Sequence, residues 1–284
     1  MKTYSLLRCL LVILAFTEVA GVIGQTAEST APLGSRVFTW ESLEARPMAV
    51  GQRRNVVNQR TATLQRFQSH ATTLNPGAAS HAPHQHPLEE MILVREGTVE
   101  VTINDRTERA GPGSVLFYAS NDFHAIRNVG DKPATYLVLN FGTRATDTAS
   151  PQRAADSAPA GKLKSQVFEW SALHVKPTKT GERRDVFNSP TVTCRNLSCH
   201  ITSVQAHQAS HGAHRHVDEE VVVVKDGLIE VLINGATYKA GPGSVCFFAS
   251  NDEHGMRNVG DTPATYYVIR VVTEATPAPP PKKS

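Results

Sequence analysis

The sequence predicts an all-β protein made of two copies of one domain. Residues 35–40 recur as residues 165–170, and residues 111–115 recur as residues 241–245, each pair separated by 130 positions. Self-similarity at a fixed separation indicates a duplicated structural unit. Within each copy, short apolar runs alternate with turn dipeptides at intervals of about 8–12 residues, which is typical of β-sandwiches and closed barrels.

The duplicated segments define the predicted domains. Residues 35–143 align with residues 165–273 without a gap, and roughly half of the aligned positions are identical. At 284 residues, the chain has room for two domains of ordinary size. Residues 144–164 are rich in Ala, Ser, Asp, Thr and Pro, and residues 274–284 are rich in proline. This composition predicts a linker and an extended tail, both outside the packed cores.

The overall composition argues against two classes of protein. Hydrophobic residues make up 40% of the chain and charged residues 19%, which is the balance of a globular protein and not of a disordered one. The net charge is +3, and no basic run is interleaved with aromatic residues. Nucleic acid is therefore not expected as a partner.

The N-terminus has the pattern of a signal peptide. Lys2 and Arg8 precede the apolar residues 9–16, and small residues follow as far as Gly24. A membrane anchor is the alternative, but the apolar run is shorter than the roughly 20 residues that span a bilayer. We therefore expect residues 1–24 to be removed, leaving an exported periplasmic or extracellular protein without a membrane segment.

Three cysteines remain after removal of Cys9. They are Cys194, Cys199 and Cys246, an odd number that allows at most one disulfide. Leucine stands at two of the three corresponding positions of the first copy. This favours small buried hydrophobic residues over a disulfide bond.

Apolar runs and turn dipeptides place strands within each copy. Residues 91–94 and 221–224 are continuous apolar runs, as expected of buried strands. Asp-Gly at 226–227 and Asn-Gly at 234–235 favour tight hairpin turns at both ends of the strand between them. The local patterns and the repeat therefore lead to the same fold class.

Each copy carries three histidines and one glutamate at a spacing that suits a metal site. Residues two apart on a strand face the same side, so the first two histidines can share a cavity. Four residues of extended chain would carry the glutamate about 13 Å away, so the chain has to turn before it. The third histidine arrives from a more distant strand. The candidate ligands are His84, His86, Glu90 and His124 in the first copy, and His214, His216, Glu220 and His254 in the second.

These donor types suit a divalent ion of Mn, Fe, Co, Ni, Cu or Zn, with roughly two coordination positions left open. No cysteine lies at a candidate position, which disfavours sulfur-seeking metals. The alternative is that the histidines are surface residues or hydrogen-bonded core residues. Because the same four-residue set occurs in both copies, we favour two metal ions per chain.

The spacing resembles the two signature motifs of the cupin family. The first motif is Gly77-x6-His84-x-His86-x3-Glu90-x6-Gly97, and the second runs from Gly113 through His124 to Asn128. The second copy repeats both motifs, with departures in spacer length and in glycine and proline positions that remove no ligand. The resemblance implies tandem duplicated jelly-roll β-barrels with a metal ion inside each.

Two-domain cupins are similar to oxalate decarboxylases and oxidases, dioxygenases and ureidoglycine aminohydrolases. The resemblance therefore implies a metal-dependent enzyme of the oxidoreductase or decarboxylase type, with Mn or Fe favoured, acting on a small organic acid or oxygenated metabolite. The expected partner is a small, anionic molecule, and a homo-oligomer is possible. The alternative is a non-catalytic exported protein that binds or stores a metal or ligand. Fold alone does not choose between them.

Two residue pairs near the ligands have uncertain roles. His81 and His211 could orient a ligand or contact substrate, but their odd spacing from the first ligand points them away on a regular strand. Arg127 and Arg257 could bind a substrate carboxylate, but their parity relative to the third ligand predicts salt-bridged surface arginines.

Charged neighbours of the ligands are also open to two interpretations. Glu89 and Glu219 adjoin the ligand glutamates on the opposite strand face, which predicts salt bridges or contact with solvent. Asp218 and Glu253 replace apolar residues of the first copy and predict a more acidic rim in the second. The paired arginines at 53–54, like the equivalent pair in the second copy, could face substrate or solvent.

Overall fold

A computed structural model describes residues 31–148 and 158–279, and nearly all of their regular secondary structure is β-strand. The predicted signal peptide and Cys9 lie outside these residues. No helix in the described part of the chain is long and apolar enough to cross a bilayer. The strands of the first copy are β1 (Arg36–Phe38), β2 (Arg46–Met48), β3 (Gly51–Gln59), β4 (Arg66–Leu74), β5 (Glu89–Glu96), β6 (Val99–Ile103), β7 (Arg106–Ala110), β8 (Val115–Tyr118), β9 (His124–Asn128) and β10 (Ala134–Gly142).

The second copy repeats this order after a short helix, α1 (Arg144–Thr148). A single turn of 3-10 helix follows the first strand of each copy, at Trp40–Ser42 and Trp170–Ala172. The strands of the second copy are β11 (Gln166–Phe168), β12 (Val175–Thr178), β13 (Gly181–Ser189), β14 (Asn196–Val204), β15 (Glu219–Asp226), β16 (Ile229–Ile233), β17 (Ala236–Ala240), β18 (Val245–Phe248), β19 (His254–Asn258) and β20 (Ala264–Val272).

Each copy forms a large and a small antiparallel sheet. The large sheets have the orders β11-β8-β5-β10-β4-β3-β2 and β1-β18-β15-β20-β14-β13-β12. The small sheets have the orders β7-β6-β9 and β17-β16-β19. A large and a small sheet face each other across an apolar interior, which gives the predicted pair of jelly-roll barrels.

The first strand of each copy belongs to the sheet of the other copy. Val37 in β1 pairs with Cys246 in β18, and Val167 in β11 pairs with Leu116 in β8. The residues next to these strands reinforce the exchange, because the amide of Trp40 donates to the hydroxyl of Ser244 at 3.1 Å and the second copy makes the reciprocal bond. Each large sheet therefore combines six strands of one copy with the first strand of the other copy.

Strand alternation divides the buried residues between two environments. Met91 and Leu93 in β5 belong to an apolar cluster shared by both copies, whereas Ile92 and Val94 belong to the interior of the first barrel. This explains the continuous apolar run of β5, since a strand covered on both faces needs no polar side. The shared cluster includes Phe67 of the first copy and Phe247 of the second, whose ring centroids lie 5.6 Å apart. The large sheets thus pack against each other through their outer faces.

The interface between the barrels also buries a carboxylate from each copy. Thr191 Oγ1 donates to Glu89 at 2.5 Å, and the amide of Thr193 donates to Glu89 at 3.0 Å. In the reciprocal contact, the hydroxyls of Thr61 and Thr63 donate to Glu219 at 2.6 and 2.7 Å. Burial raises the pKa of both interface carboxylates.

The predicted salt bridge or solvent contact for Glu89 and Glu219 is wrong. Both residues do face away from the ligand glutamates, as their parity predicted. Their exposed fraction is 0%, however, because that face of each sheet is covered by the other barrel. The alternation of side chains along the strand therefore predicted which face of the sheet these glutamates lie on, but not that the other barrel covers this face.

Two further expectations about packing have different outcomes. Leu163 of the predicted linker packs in the shared apolar cluster, so the expectation that the whole linker lies outside the cores is wrong. Cys194, Cys199 and Cys246 are free and buried, which confirms the interpretation as small hydrophobic residues. Burial raises the pKa of each thiol, to about 12 for Cys246.

We expect Glu89→Ala to lower the free energy of unfolding by about 2–4 kcal/mol, because it leaves buried donors of Thr191 and Thr193 without an acceptor. Glu219→Ala should have a similar effect on its own side of the interface. The control Glu96→Ala removes an exposed carboxylate and should change stability by less than about 0.5 kcal/mol. Urea denaturation measures all three, and equal stability of the Glu89 and Glu96 variants would contradict the role of the interface carboxylates.

Candidate metal centres

Two backbone features bring the ligands of each copy together. His84 and His124 pair their backbones in a single antiparallel bridge, with N to O distances of 3.0 and 2.8 Å. The chain then bends at Pro87 and Leu88 before β5 begins at Glu89. The predicted turn between the histidine pair and the glutamate is therefore present. The second copy forms the same bridge between His214 and His254.

The three histidines of each copy converge on a common point. One nitrogen from each of His84, His86 and His124 lies within 4.8 Å of the others, and the second copy meets the same limit. In both copies the ring centroids are separated by 4.6 Å for the first and third histidines, 4.8 Å for the second and third, and 5.3 Å for the first and second. The histidines of the second cluster are His214, His216 and His254.

The predicted glutamate lies beside the histidines in both copies. Its Oε2 is 3.3 Å from Nε2 of His86, and its Oε1 is 3.9 Å from Nε2 of His124. The corresponding distances for Glu220 are 3.3 and 3.8 Å. The structure thus gathers all eight candidate residues into two groups of four. That Glu90 and Glu220 coordinate an ion along with the histidines remains a prediction.

The hydrogen bonding of the imidazole rings fits a metal ion. In His124, His216 and His254, the Nδ1 atom lies 2.8–3.0 Å from a backbone carbonyl oxygen two residues away along the chain. A carbonyl can only accept, so Nδ1 carries the hydrogen and Nε2 keeps a free electron pair. Nε2 of these three residues is buried without a hydrogen-bond partner in the described part of the chain. A divalent ion would satisfy these atoms.

The ligand histidines are largely in the form that binds metal. Burial, followed by the charges of neighbouring histidines, lowers the pKa of His84 to about 4. A histidine with a lowered pKa is neutral near pH 7, and only neutral imidazole coordinates a metal. Burial is also the largest cause of a lowered pKa in His124, His214 and His254. In His216, burial is outweighed by the hydrogen bond and charge of Glu220, which raise its pKa.

A family model described as a cupin domain matches residues 70–140 and again residues 200–270, which together make up half of the chain. The chain belongs to the cupin family. The expectation drawn from the motif spacing is thereby confirmed. A comparison of the chain with curated proteins found no match.

Solved structures similar to this cupin include two-domain enzymes. A mutant of oxalate decarboxylase OxdC from Bacillus subtilis superposes with a TM-score of 0.64 at 15% identity, covering 86% of this chain and 79% of the other. The same decarboxylase at pH 4.6 gives a TM-score of 0.64 at 15% identity, with 86% and 78% covered. AerE from Microcystis aeruginosa gives 0.60 at 16% identity, with 81% and 98% covered. At these identities, the likeness establishes the fold.

The first barrel of this cupin encloses a cavity of about 220 Å³ that all four candidate ligands line. His70, Tyr118 and Asn140 also line it. Each of these three side chains has a buried polar atom without a hydrogen-bond partner in the described residues, namely Nδ1, Oη and Oδ1 respectively. The cavity therefore contains donors and acceptors that the protein itself does not use.

Sequence reasoning missed these three residues. His70 had a usable signal, because His200 stands at the same position of the second copy. The register explains Asn140, which pairs with Glu90 across β5 and β10 and therefore faces the same interior. Tyr118 follows from the same rule, since it pairs with Glu90 across β5 and β8. The positions of Asn140 and Tyr118 can be predicted only when the pairing of the strands is known.

The structure corrects the expectation for His81 and His211. Their rings contact those of His84 and His214 edge to face, with centroid distances of 4.1 and 4.6 Å. His81 also lines the cavity. The parity argument failed because residues 81–83 do not form a regular strand.

The arginines considered above lie in different environments. Arg127 and Arg257 are exposed, and the Nε of Arg127 donates to the carbonyl of Gly77 at 3.2 Å. Arg53 lines the cavity, whereas the guanidinium of Arg54 stacks 4.7 Å above the ring of Trp40. Of the two adjacent arginines, Arg53 therefore faces the cavity and Arg54 faces away from it.

The two metal centres differ in the residues around the ligands. Tyr118 stacks on His124 with a centroid distance of 4.4 Å, and Phe248 replaces that tyrosine on His254 at the same distance. Where the first copy has Leu88 and Asn140, the second has an ion pair between Asp218 and Arg270, with Nη2 to Oδ1 at 2.9 Å. Arg270 therefore balances the acidic charge predicted for that rim.

We expect the wild-type protein to bind two divalent ions and the double variant His84→Ala, His86→Ala to bind one, because half of one ligand set is removed. The variant His214→Ala, His216→Ala should also bind one. Elemental analysis near neutral pH measures the stoichiometry, since protons compete with metal at acid pH. A wild type that saturates with one ion, which only one of the variants loses, would show that one barrel does not bind metal.

Proposed function

We propose that this cupin is a metal-dependent enzyme of the oxidoreductase or decarboxylase type that acts on a small organic acid or oxygenated metabolite. The observation that carries the proposal is the set of unpaired polar atoms on His70, Tyr118 and Asn140 in the cavity of the first copy. Buried polar groups nearly always have partners, so the cavity suits a ligand that supplies them. Oxalate decarboxylase, which shares this fold, gives a precedent for chemistry on a small acid.

We propose manganese or iron as the ion of each centre. Imidazole and carboxylate donors without a thiolate suit both metals. The candidate residues that would hold it are the four ligands of each copy described above. Bound there, such an ion supplies Lewis acidity and a means of exchanging electrons with oxygen.

The residues of the first cavity would orient the substrate and manage its protons. Burial raises the pKa of Tyr118 well above its ordinary value, so its hydroxyl stays protonated and can donate to a substrate oxygen. Its stacking on His124 fixes the direction of that bond. Burial, followed by the charge of Arg53, lowers the pKa of His70 to about 4. His70 is therefore neutral near pH 7, and its unpaired Nδ1 is available for a hydrogen bond to the substrate.

The size and lining of the cavity limit the substrate. A volume of about 220 Å³ is below the roughly 300–1,000 Å³ of pockets for drug-sized ligands. Ile92, Ile126 and Val138 line the cavity as well and reduce its space for water. A compact metabolite that brings its own polar groups fits these limits.

Turnover of small carboxylic acids tests the proposal. Protein loaded with manganese or iron should form product, release carbon dioxide or consume oxygen with at least one acid of a screen, and metal-free protein should not. Tyr118→Phe should reduce turnover about tenfold or more at unchanged metal content, because one hydrogen bond to the reacting molecule is lost. Tyr238→Phe, at an exposed tyrosine, is the control. A ligand-dependent thermal shift without product would indicate a binding or storage protein instead.

We also propose that the protein is exported. Support comes from the basic start and the apolar residues 9–16, which lie outside the described part of the chain. Protein from the native source should begin near Gln25. Mass spectrometry of the intact chain measures this, and retention of residues 1–24 would contradict export by a cleaved signal peptide.

A further inference from the structure

Arg53 lines the first cavity, and its positive charge has no acidic partner among the described residues. Its Nε donates to the neutral amide oxygen of Asn55 at 2.9 Å. It forms no ion pair with any carboxylate in residues 31–148 or 158–279. Burial also lowers the pKa of Arg53, so its guanidinium has lost part of its hydration. An anion in the cavity would compensate for this loss.

The equivalent arginine of the second copy is already paired with a carboxylate. Arg183 Nε donates to Asp185 at 2.7 Å, and Lys176 Nζ donates to the same carboxylate at 2.6 Å. Asp185 stands where the first copy has Asn55, so a single difference between the copies decides whether this arginine has a counter-charge. The other cation near the second centre, Arg270, is paired with Asp218.

Strand register separates Arg53 from the metal ligands. Arg53 pairs with Thr72, which pairs with Tyr136, which in turn pairs with Val94. Glu90 lies four residues before Val94 on β5, which corresponds to about 13 Å of strand. The side chains of Arg53 and Glu90 line one cavity from two different levels.

His70 lies at a level between those of Arg53 and Glu90. Val138 pairs with both His70 and Ile92, and Ile92 lies midway between Glu90 and Val94 on β5. A ligand that extends from the metal ligands to Arg53 would therefore pass His70, whose Nδ1 has no partner in the described residues. Two acid groups joined by a carbon chain suit binding groups that line one cavity at two different levels.

We propose that the first barrel, and not the second, binds an organic anion with a chelating acid group at the metal centre and a second acid group at Arg53. This inference rests on the proposed function and names its substrate class. Arg53 is the residue that sets specificity for the second acid group. In the second barrel the matching arginine is already paired with Asp185, so it does not select for that group.

Binding of two matched keto acids to manganese-loaded protein tests the proposal. α-Ketoglutarate has a chelating end and a distal carboxylate. α-Ketovalerate is the same five-carbon chain with a methyl group in place of the distal carboxylate. Calorimetry in the absence of oxygen should show that the wild type prefers α-ketoglutarate on the order of tenfold. Arg53→Gln should abolish this preference while leaving affinity for α-ketovalerate unchanged. Arg53→Lys should retain part of it, because the charge is kept.

Arg183→Gln is the matched control, because it removes the equivalent arginine of the second copy and should leave the preference unchanged. Metal content and thermal stability of each variant show that the fold is intact. If both acids bind the wild type equally, or if Arg183→Gln and not Arg53→Gln removes the preference, the proposal is overturned while the proposed function stands. If neither acid binds metal-loaded protein, this proposal is overturned, and the turnover screen decides the proposed function separately.

Discussion

Burial of both faces of each large sheet is the constraint on which the rest of the structure depends. One face surrounds a metal centre, and the other packs against the neighbouring barrel. Adjacent residues of β5 therefore serve different purposes, because consecutive side chains point to opposite faces. Glu90 lies among the ligand histidines, and Glu89 accepts hydrogen bonds from the other copy. A shift of one residue in register would exchange these carboxylates and disrupt both the centre and the interface.

The sequence predicted the features that depend on spacing along the chain. The repeat, the all-β fold, the turn before Glu90 and the grouping of candidate ligands all follow from residue order and turn chemistry. It did not predict features that depend on which strands become neighbours. The exchange of β1 and β11, the burial of Glu89 and the position of Leu163 in the shared core depend on contacts between distant segments, such as the pairing of Arg36 with Phe247 and of Gln166 with Phe117. His81 was misjudged for a different reason, because its segment is not a regular strand.

The two copies differ in residues around the ligands but not in the ligands themselves. The histidine geometry is the same in both centres to within the distances quoted above. The surrounding changes are coupled: Asp218 accompanies Arg270, and Asp185 accompanies an arginine that is also present in the first copy. Asp218 and Asp185 are thus both paired with a cation. Because the first copy has neutral residues in place of Asp218, Arg270 and Asp185, the electrostatic environments of the two metal centres differ.

The exchange of first strands has a consequence for how such a chain could arise. A single copy has no strand of its own to cover the edge formed by β8 or β18, and an uncovered edge readily pairs with another chain. Two separate copies would satisfy each other by swapping these strands in a symmetric dimer. Joining them in one chain replaces a concentration-dependent association by an intramolecular one, with an effective concentration set by the connecting segment. The fused protein therefore keeps both barrels closed even at high dilution, and each copy is free to change its cavity without losing its partner.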